Sequence, residues 1–476
     1  MNIRPTQASN FELVRSGLNL NLSKLIRAQE QASSGKRLLR PSDDPIAAAT
    51  VLALQRQLGD VSRYSKAIDS ARPLLEQGMS SLNEASSIMT EARGIAIQGL
   101  NGTLSPVDRH ALAQSLRLLK ARMVDLGNTQ LGDRYVFGGT ATKDAPFREV
   151  DVNGRPRVVY GGDDAARSVS VGPGVELPVN VPGDDAFGRN ESSGVNYVGN
   201  SGLTHGSSAD AGSGYGYLTV RHDATTGPLG SGLALVNGGS GDTLIGERKL
   251  TIDSAAGTVQ FGNGAVVTIP ASGSAGAADL ALTDEHGAVL HVDFSNYNGT
   301  SSTSMVDGSG SVSFDGTNFT ALDLANHNQE LTDGNGTVLH VDATRAVLAT
   351  QDLYSFQGGV NAFDVIQGMI EDLENGSGLD DAHLQDRLRS RLDEFDRNFD
   401  NLQIGLGTLG SRAQRMDSSK SQLDDHAIDL QGLVSKHEDA DLSSVILDMN
   451  MAQQTLQVAQ ATGAKLLQNS LLNYLG

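Results

Sequence analysis

Apolar spacing at the two ends of this chain restricts its fold more than any other feature. From Val51 through Leu54, Leu58, Val61, Ser65, Ile68, Arg72, Leu75, Met79, Leu82, Ser86, Met89, Arg93 and Ala96 to Leu100, steps of three and four alternate, and eleven of the fifteen positions are apolar. That alternation lines one stripe of a helix and, over about seven heptads, defines an a/d seam. Phe11, Val14, Leu18, Asn21, Leu25, Ala28 and Ala32 repeat the spacing near the start, and Leu442, Val445, Met449, Ala452, Leu456, Ala459, Gly463 and Leu466 near the end. Asn21 places an amide where burial fixes register, and the small residues of the last seam permit close approach. A lone helix in water is marginal, whereas each covered leucine contributes roughly 1.5–3 kcal/mol. The terminal seams therefore require partners, either each other or other chains.

Punctuation marks the helix ends. Pro73 lacks an amide proton and crowds the preceding turn, which predicts a kink or break, with Pro73 opening the next stretch. Ser105, Pro106 and Asp108 read as cap, first turn and dipole partner of a third helix, its stripe formed by Leu112, Leu116, Leu119, Met123 and Leu126.

From Phe137-Gly138-Gly139 to Gly358-Gly359 the chain becomes rich in Gly, Ser, Thr, Asp and Val. Short runs at Tyr217–Val220, Leu250–Ile252, Val266–Ile269 and Val312–Phe314 lie between turn residues and read as strands. Leu282–Asp293 recurs as Leu331–Asp342, both ending Val-Leu-His-Val-Asp, which predicts two related β-hairpins. The chain thus divides into a helical segment 1–140, a β-rich segment 141–358 and a helical segment 359–476, an α+β chain with a β insert. Aromatic residues make up 4% of the sequence, so a thin core and a modest insert are expected.

Charge and chemistry narrow the function. The net charge of −20 argues against nucleic-acid binding, which needs clustered cations. Residues 1–140 carry 17 cations against 12 carboxylates, while 141–355 carry 10 against 25 and 356–476 carry 9 against 19. The two helical ends are opposite in sign, as packing partners are, and the middle reads as an acidic, solvated body. No run of about 18 apolar residues spans a membrane, and the start lacks the apolar core of a secretory signal, so these signals alone place the chain in the cytosol. Cysteine is absent, which removes thiolate chemistry and thiolate metal sites. His291 and His340 occupy equivalent repeat positions, yet alternation turns them to the solvent side without further ligands. Asp333-Gly334-Asn335-Gly336-Thr337 is a tight turn before it is a calcium loop, since the closing Glu is missing. No nucleophile, base and oxyanion site come together. No cofactor, catalytic residue or metal site is expected.

The remaining motif joins the first two helices. In Ser33-Ser34-Gly35-Lys36-Arg37-Leu38-Leu39-Arg40-Pro41-Ser42-Asp43-Asp44-Pro45, Gly35 stops one helix, Ser42 or Asp43 caps the next, and Pro45 suits its first turn. Three cations followed by two carboxylates make the loop self-complementary, fit to lock between neighbours. Here the chain resembles the flagellin superfamily and, within it, the hook–filament junction branch. Gly35, Lys36 and Arg37 with Pro41, Asp43 and Asp44 are similar to that branch's signature. Arg134–Gly139 looks like the end of its N-terminal helices, Glu438–Leu442 like the opening of its terminal helix, and Ser470–Leu475 like its C-terminus.

The resemblance implies an antiparallel coiled-coil core made from the two helical ends, with the β domain projecting outward. It implies assembly through Phe11, Leu18, Leu25, Val51, Leu54, Leu58, Leu442, Val445, Met449, Leu456 and Leu466. Expected partners are further copies in a ring, the first hook-associated protein, flagellin and a cytoplasmic export chaperone. Export would then proceed through the flagellar type III apparatus, without a cleaved signal. A filament subunit shares the same helical frame and is the second reading. A secreted binding or enzymatic β domain on a helical stalk is the third, and it requires a convergent polar pocket within 141–355.

Overall fold

The computed structural model describes residues 7–152, 155–188, 194–334, 336–376, 378–379 and 381–475, with the side chains of 7–11 and 466–475 left out of the description. The fold is α+β. Its helices are α1 (Gln7–Ser34), α2 (Pro45–Gly99), α3 (Pro106–Gly127), α4 (Gly183–Phe187), α5 (Ala362–Glu374), α6 (Asp381–Glu438) and α7 (Leu442–Leu475).

Two helix boundaries test the sequence reading. At α3 the Ser105 hydroxyl accepts from the Asp108 amide at 3.2 Å, and the Asp108 carboxylate accepts from the Ser105 amide at 3.2 Å, a reciprocal capping box. At Pro73 the expected break does not occur, because α2 runs unbroken from Pro45 to Gly99. A proline inside a helix costs about 3 kcal/mol. Pro73 sits on the exposed face, while Ile68, Leu74 and Leu75 beside it are buried and offset that cost at roughly 1.5–3 kcal/mol each.

The chain forms two compact units, Met1–Arg72 with Val169–Leu177 and Gln414–Gly476, and Pro73–Ser168 with Pro178–Ala413. Both long helices, α2 and α6, contribute to each unit, so the units do not coincide with the three segments read from composition.

In the first unit α1 and α7 pack against each other, their Cα atoms approaching within 8 Å. They run antiparallel: a Cβ built on Gly463 would stand 3.3 Å from Val14, and the Gly35 carbonyl accepts from the Ala440 amide at 2.9 Å at the other end. The first part of α2 faces the last part of α6 through Arg72–Asp417 at 2.8 Å and Lys420–Asp69 at 3.0 Å. A small hairpin, β5 (Ser168–Gly172) with β6 (Val175–Pro178), contributes most of its residues to this unit.

In the second unit a short hairpin, β1 (Gln130–Leu131) with β2 (Arg134–Tyr135), follows α3, and a longer one, β3 (Phe147–Val152) with β4 (Arg155–Tyr160), packs by α3 and α5. Phe137, Phe147, Tyr160, Phe187 and Phe363 meet in tilted, edge-on and stacked pairs, with ring centroids 4.8–5.5 Å apart. This aromatic cluster lies where the helices meet the first strands. At Gly127 a Cβ would stand 2.7 Å from the Phe147 ring, so only glycine admits that contact.

The remaining strands are β7 (Val195–Val198), β8 (Thr204–His205), β9 (Tyr215–Thr226), β10 (Ala234–Leu235), β11 (Gly246–Asp253), β12 (Thr258–Phe261), β13 (Val267–Thr268), β14 (Leu280–Thr283), β15 (Val289–Asp293), β16 (Ser302–Ser313), β17 (Thr320–Ala321), β18 (Gln329–Thr332), β19 (Val338–Asp342) and β20 (Gln351–Phe356). One eight-stranded sheet runs β13-β12-β11-β16-β9-β20-β7, with β17 on the far end of β16, and two three-stranded sheets run β10-β15-β14 and β18-β19-β8. The repeated segments are hairpins, pairing Leu282 with Leu290 and Leu331 with Leu339. The β-rich segment does not gather around a single core. Two separate cores form, one around Phe261, Leu290 and Phe294, the other around Leu218, Leu339 and Phe356. Leucine and valine on paired sheet faces pack around these few aromatic rings.

Candidate assembly surface

The seams read from the sequence point inward within the first unit. Val14, Leu18, Asn21, Leu25 and Ala32 are half-buried on α1, with Ala28 buried, and Met449, Ala452, Leu456, Ala459 and Gly463 are half-buried on α7, with Val445 buried. Small residues on α7, Ala452, Ala459 and Gly463, alternate with Met449 and Leu456, opposite a seam that carries Val14, Leu18 and Leu25 on α1. At Gly463 the absent side chain makes room for Val14, to which a Cβ would come within 3.3 Å. On α2, Val51 is buried and Leu54 and Leu58 are half-buried. Leu442 departs from the seam. It is 50% exposed, because it opens α7 in the first turn, where the backbone is still leaving the connector. The side chains of Phe11 and Leu466 lie outside the described residues.

Further apolar side chains on the same helices, outside the a/d steps, are left in water. Leu13, Leu20, Leu22 and Ile26 on α1, and Ile446, Leu447, Met451 and Val458 on α7, are all exposed, Leu447 at 60% and Val458 at 65%. Their signal was present in the flanks of each seam position, but a count confined to a/d steps passes over it.

The signature loop closes on its own chain. Gly35 adopts φ +70° after α1, the left-handed conformation glycine takes at helix ends. The chain then forms a single β-bridge between Lys36 and Asp439, in which the Arg37 amide donates to the Glu438 carbonyl at 2.7 Å. Lys36 pairs with Glu438 at 2.5 Å, Arg27 with Asp43 at 3.1 Å and Arg37 with Asp44 at 3.4 Å. The hydrogen bond to Glu438 raises the Lys36 pKa. Asp44, rather than Ser42 or Asp43, caps α2 by accepting from the Ala47 amide at 3.0 Å, which lowers its pKa. Asp43 instead accepts from the Leu39 and Arg40 amides and braces the loop, while Pro41 is exposed. The self-complementarity seen in the sequence is satisfied within the chain.

The second unit holds a buried polar ladder. The Tyr215 ring lies between the guanidinium groups of Arg157, 3.6 Å from its centroid, and Arg391, at 3.8 Å. Tyr217 lies between Arg155 at 4.1 Å and Arg387 at 5.1 Å. Asp372 binds both rungs, accepting from the Tyr217 hydroxyl at 3.0 Å and from Arg391 Nε at 2.9 Å. Burial works against the Arg391 charge, but Asp372 and the two tyrosines outweigh it and raise the pKa, while burial pushes the Tyr215 hydroxyl well up. Arg387 also donates to the Gln351 carbonyl of β20. The ladder thereby fixes β4, the start of β9 and β20 to α5 and α6. Arg391 stands so close to α5 that a Cβ on Gly368 would lie 2.5 Å from its Cζ.

Comparison with known proteins addresses the helical frame. Residues 8–142 match the family model described as the bacterial flagellin N-terminal helical region. Flagellar hook-associated protein 3 of Escherichia coli is 32% identical over 163 residues, which is 33% of this chain and 50% of that protein. Its namesake from Salmonella typhimurium is 32% identical over 165 residues, 34% of this chain and 52% of that protein. The matched stretch spans about half the length of either relative. A crystal structure from Xanthomonas campestris titled FlgL is 19% identical, covers 80% of this chain and 99% of that chain, and superposes loosely, with a TM-score of 0.43.

Beyond the matched region, the residues singled out for chemistry take structural roles. His291 and His340 do not face solvent freely. His291 Nδ1 lies 2.7 Å from Asp279, and His340, its side chain 14% exposed, lies 3.6 Å from Asp210 and 3.8 Å from Glu330. The strand amide of each histidine donates to an aspartate, His291 to Asp242 at 2.8 Å and His340 to Asp210 at 2.7 Å, which draws both rings against the sheet. No group of three ligands suited to a metal occurs among the described residues. Asn335 lies outside the described residues, but the flanking Asp333 carboxylate accepts from the Thr337 amide at 2.9 Å, as a closed turn does. No helix among the described residues is long and apolar enough to cross a membrane. A polar cavity of about 850 Å³ borders the ladder. Its charges pair among themselves, Lys120 with Glu149 at 2.9 Å and Arg117 with Glu374 at 2.6 Å, and it presents no activated nucleophile.

Proposed function

We propose that this chain is a structural subunit of the bacterial flagellum, the adaptor that joins the hook-associated ring to the flagellin filament. The exposed apolar side chains of the α1–α7 pair, beside the match of residues 8–142 to the flagellin N-terminal helical region, carry this reading. An antiparallel pair that closes its own seam and still leaves Leu447 and Val458 in water is prepared for neighbours. In this reading 1–140 and 359–476 form the assembling frame, and 141–358 the outward β domain. The partners are further copies in a ring, the first hook-associated protein and flagellin, with an export chaperone covering α7 before passage through the type III apparatus. Two relatives called hook-associated protein 3 support the adaptor role. The role is structural and uses no catalytic residue.

Deleting the gene tests the proposal. Electron microscopy should find hooks without filaments, with flagellin shed into the medium. Bare hooks without shed flagellin would favour the second reading, a filament subunit, which the shared flagellin-type region supports. Normal filaments would overturn both. A finer test replaces Leu447 and Val458 together with Asp. Monomer stability should stay within about 0.5 kcal/mol, as for exposed sites, while filament attachment is lost.

A further inference from the structure

The repeated hairpins are the visible part of a larger duplication. In one set β14 and β15 are joined by β10, which pairs Leu235 with Val292; in the other β18 and β19 are joined by β8, which pairs His205 with Val341. After β10, Asp242 accepts the His291 amide and the Thr243 amide donates to Val289. After β8, Asp210 accepts the His340 amide and the Ala211 amide donates to Val338. The strands that follow match as well. The β11 strand is flanked by β12 and the first half of β16, and β9 by the second half of β16 and β20. Even the short edge strands agree: β12 sets Val259 against Val267, and β16 sets Val312 against Thr320. The Ile269 amide donates to Gly257 where the Leu322 amide donates to Gly310. Each set builds a core of its own, with one buried residue exchanged each way: Ile245 enters the outer core and Leu348 the inner one.

We propose that these are two copies of one β module, and that the inner copy, Asp223–Ser309, is inserted into a hairpin of the outer copy. The insertion point is legible. His222 of β9 and Gly310 of β16 face each other in the antiparallel pair, and the register shifts at Ser309/Gly310, where the inner copy's part of β16 ends. Without the insert, those two residues would be joined by a tight turn, as β11 and β12 are joined in the inner copy. The ladder tyrosines and the Gln351 carbonyl belong to the outer copy alone. The inner copy carries nine carboxylates against two cations, a surface that disfavours contact between copies of itself. It touches the outer copy through Ile245 and a Leu244–Leu348 bridge, and it takes no part in the ladder.

The test excises Asp223–Ser309 and joins His222 to Gly310 through Asn-Gly, a pair that suits a two-residue hairpin turn. On the adaptor reading, on which this arm rests, the excised chain should restore filaments to as many hooks as the complete chain. A folded excised chain that leaves hooks bare overturns the proposal. Two substitutions in the complete chain decide the matter if the excised chain does not fold. Leu290→Asp should abolish amide protection within the inner copy alone, and Leu339→Asp, its counterpart, within the outer copy. Loss of protection in both copies from Leu290→Asp would refute separate modules. If the complete chain fails to restore filaments to the deletion strain, the adaptor reading falls, while the exchange pattern still decides the duplication.

Discussion

The α1–α7 pair and the arginine–tyrosine ladder bind the chain by opposite means. The pair is apolar and thin, its seam residues half-buried and its outer face in water. The ladder is charged and closed, with Arg391 only 1% exposed between Tyr215 and Asp372. Apolar contact is non-directional and roughly additive in area, so an open face can accept a neighbour without a fixed geometry beforehand. Buried ions tolerate no such freedom, because each must keep its partner. On the proposed reading the pair keeps apolar side chains open to neighbours, whereas the ladder finds its main ionic partner, Asp372 for Arg391, within the chain.

Removing one ladder ion should produce the largest effect. Arg391→Ala leaves Asp372 buried without its cation and should cost about 3–5 kcal/mol, read from denaturant unfolding followed by circular dichroism. Hydrogen exchange should place the loss at α5, α6 and β9, and leave α1 and α7 unchanged. A cost near the 0–1 kcal/mol of a surface pair would mean that the ladder does not hold this region. Leu456→Asp comes next. It opens the half-buried seam at a cost of roughly 1.5–3 kcal/mol, abolishes assembly, and leaves exchange in the β modules unaltered. Filament attachment at the level of the unsubstituted chain would remove Leu456 from the assembly seam.

The two regions were also unequally legible. The seam is local, since steps of three and four report one helix face whatever surrounds it, and Val14 to Ala32 could be read without knowing α7. Leu442 misled because periodicity does not tell where a helix begins to have a neighbour. The ladder is non-local. Arg155 with Arg157, Tyr215 with Tyr217, and Arg387 with Arg391 are ordinary pairs at strand and helix spacing, and only the fold stacks them. Between these extremes lies the loop at Gly35, whose charges were visible but whose partner, Glu438, is separated from Lys36 by most of the chain. The duplication was legible only where Val-Leu-His-Val-Asp survived in both copies, because β8 and β10 keep a pairing pattern without keeping a sequence.

Reversing the charges of the clasp separates position from charge. Lys36→Glu and Glu438→Lys should each loosen the connector bridge and raise exchange at Arg37 and Ala440. The double variant should restore protection, because the 2.5 Å pair needs opposite signs rather than a particular order. Equal loosening in the double variant would show that the β-bridge backbone alone sets the register of α1 and α7.

The smallest effect concerns acid. Asp342, at the end of β19, accepts hydrogen bonds from the Thr344 hydroxyl and amide and from His327, which hold its pKa down at about 2. An unfolded aspartate titrates near 3.9, or about two units higher. A carboxylate whose folded pKa is depressed stabilises the fold above the unfolded value, and that contribution fades as pH falls toward 2. Asp342→Asn removes the titrating group, so the two proteins should differ by a constant amount above about pH 5 and converge on approaching pH 2. The outer module's exchange rates across that range provide the measurement. A difference that persists unchanged to pH 2 would assign the effect of the substitution to the shape of the turn rather than to its charge.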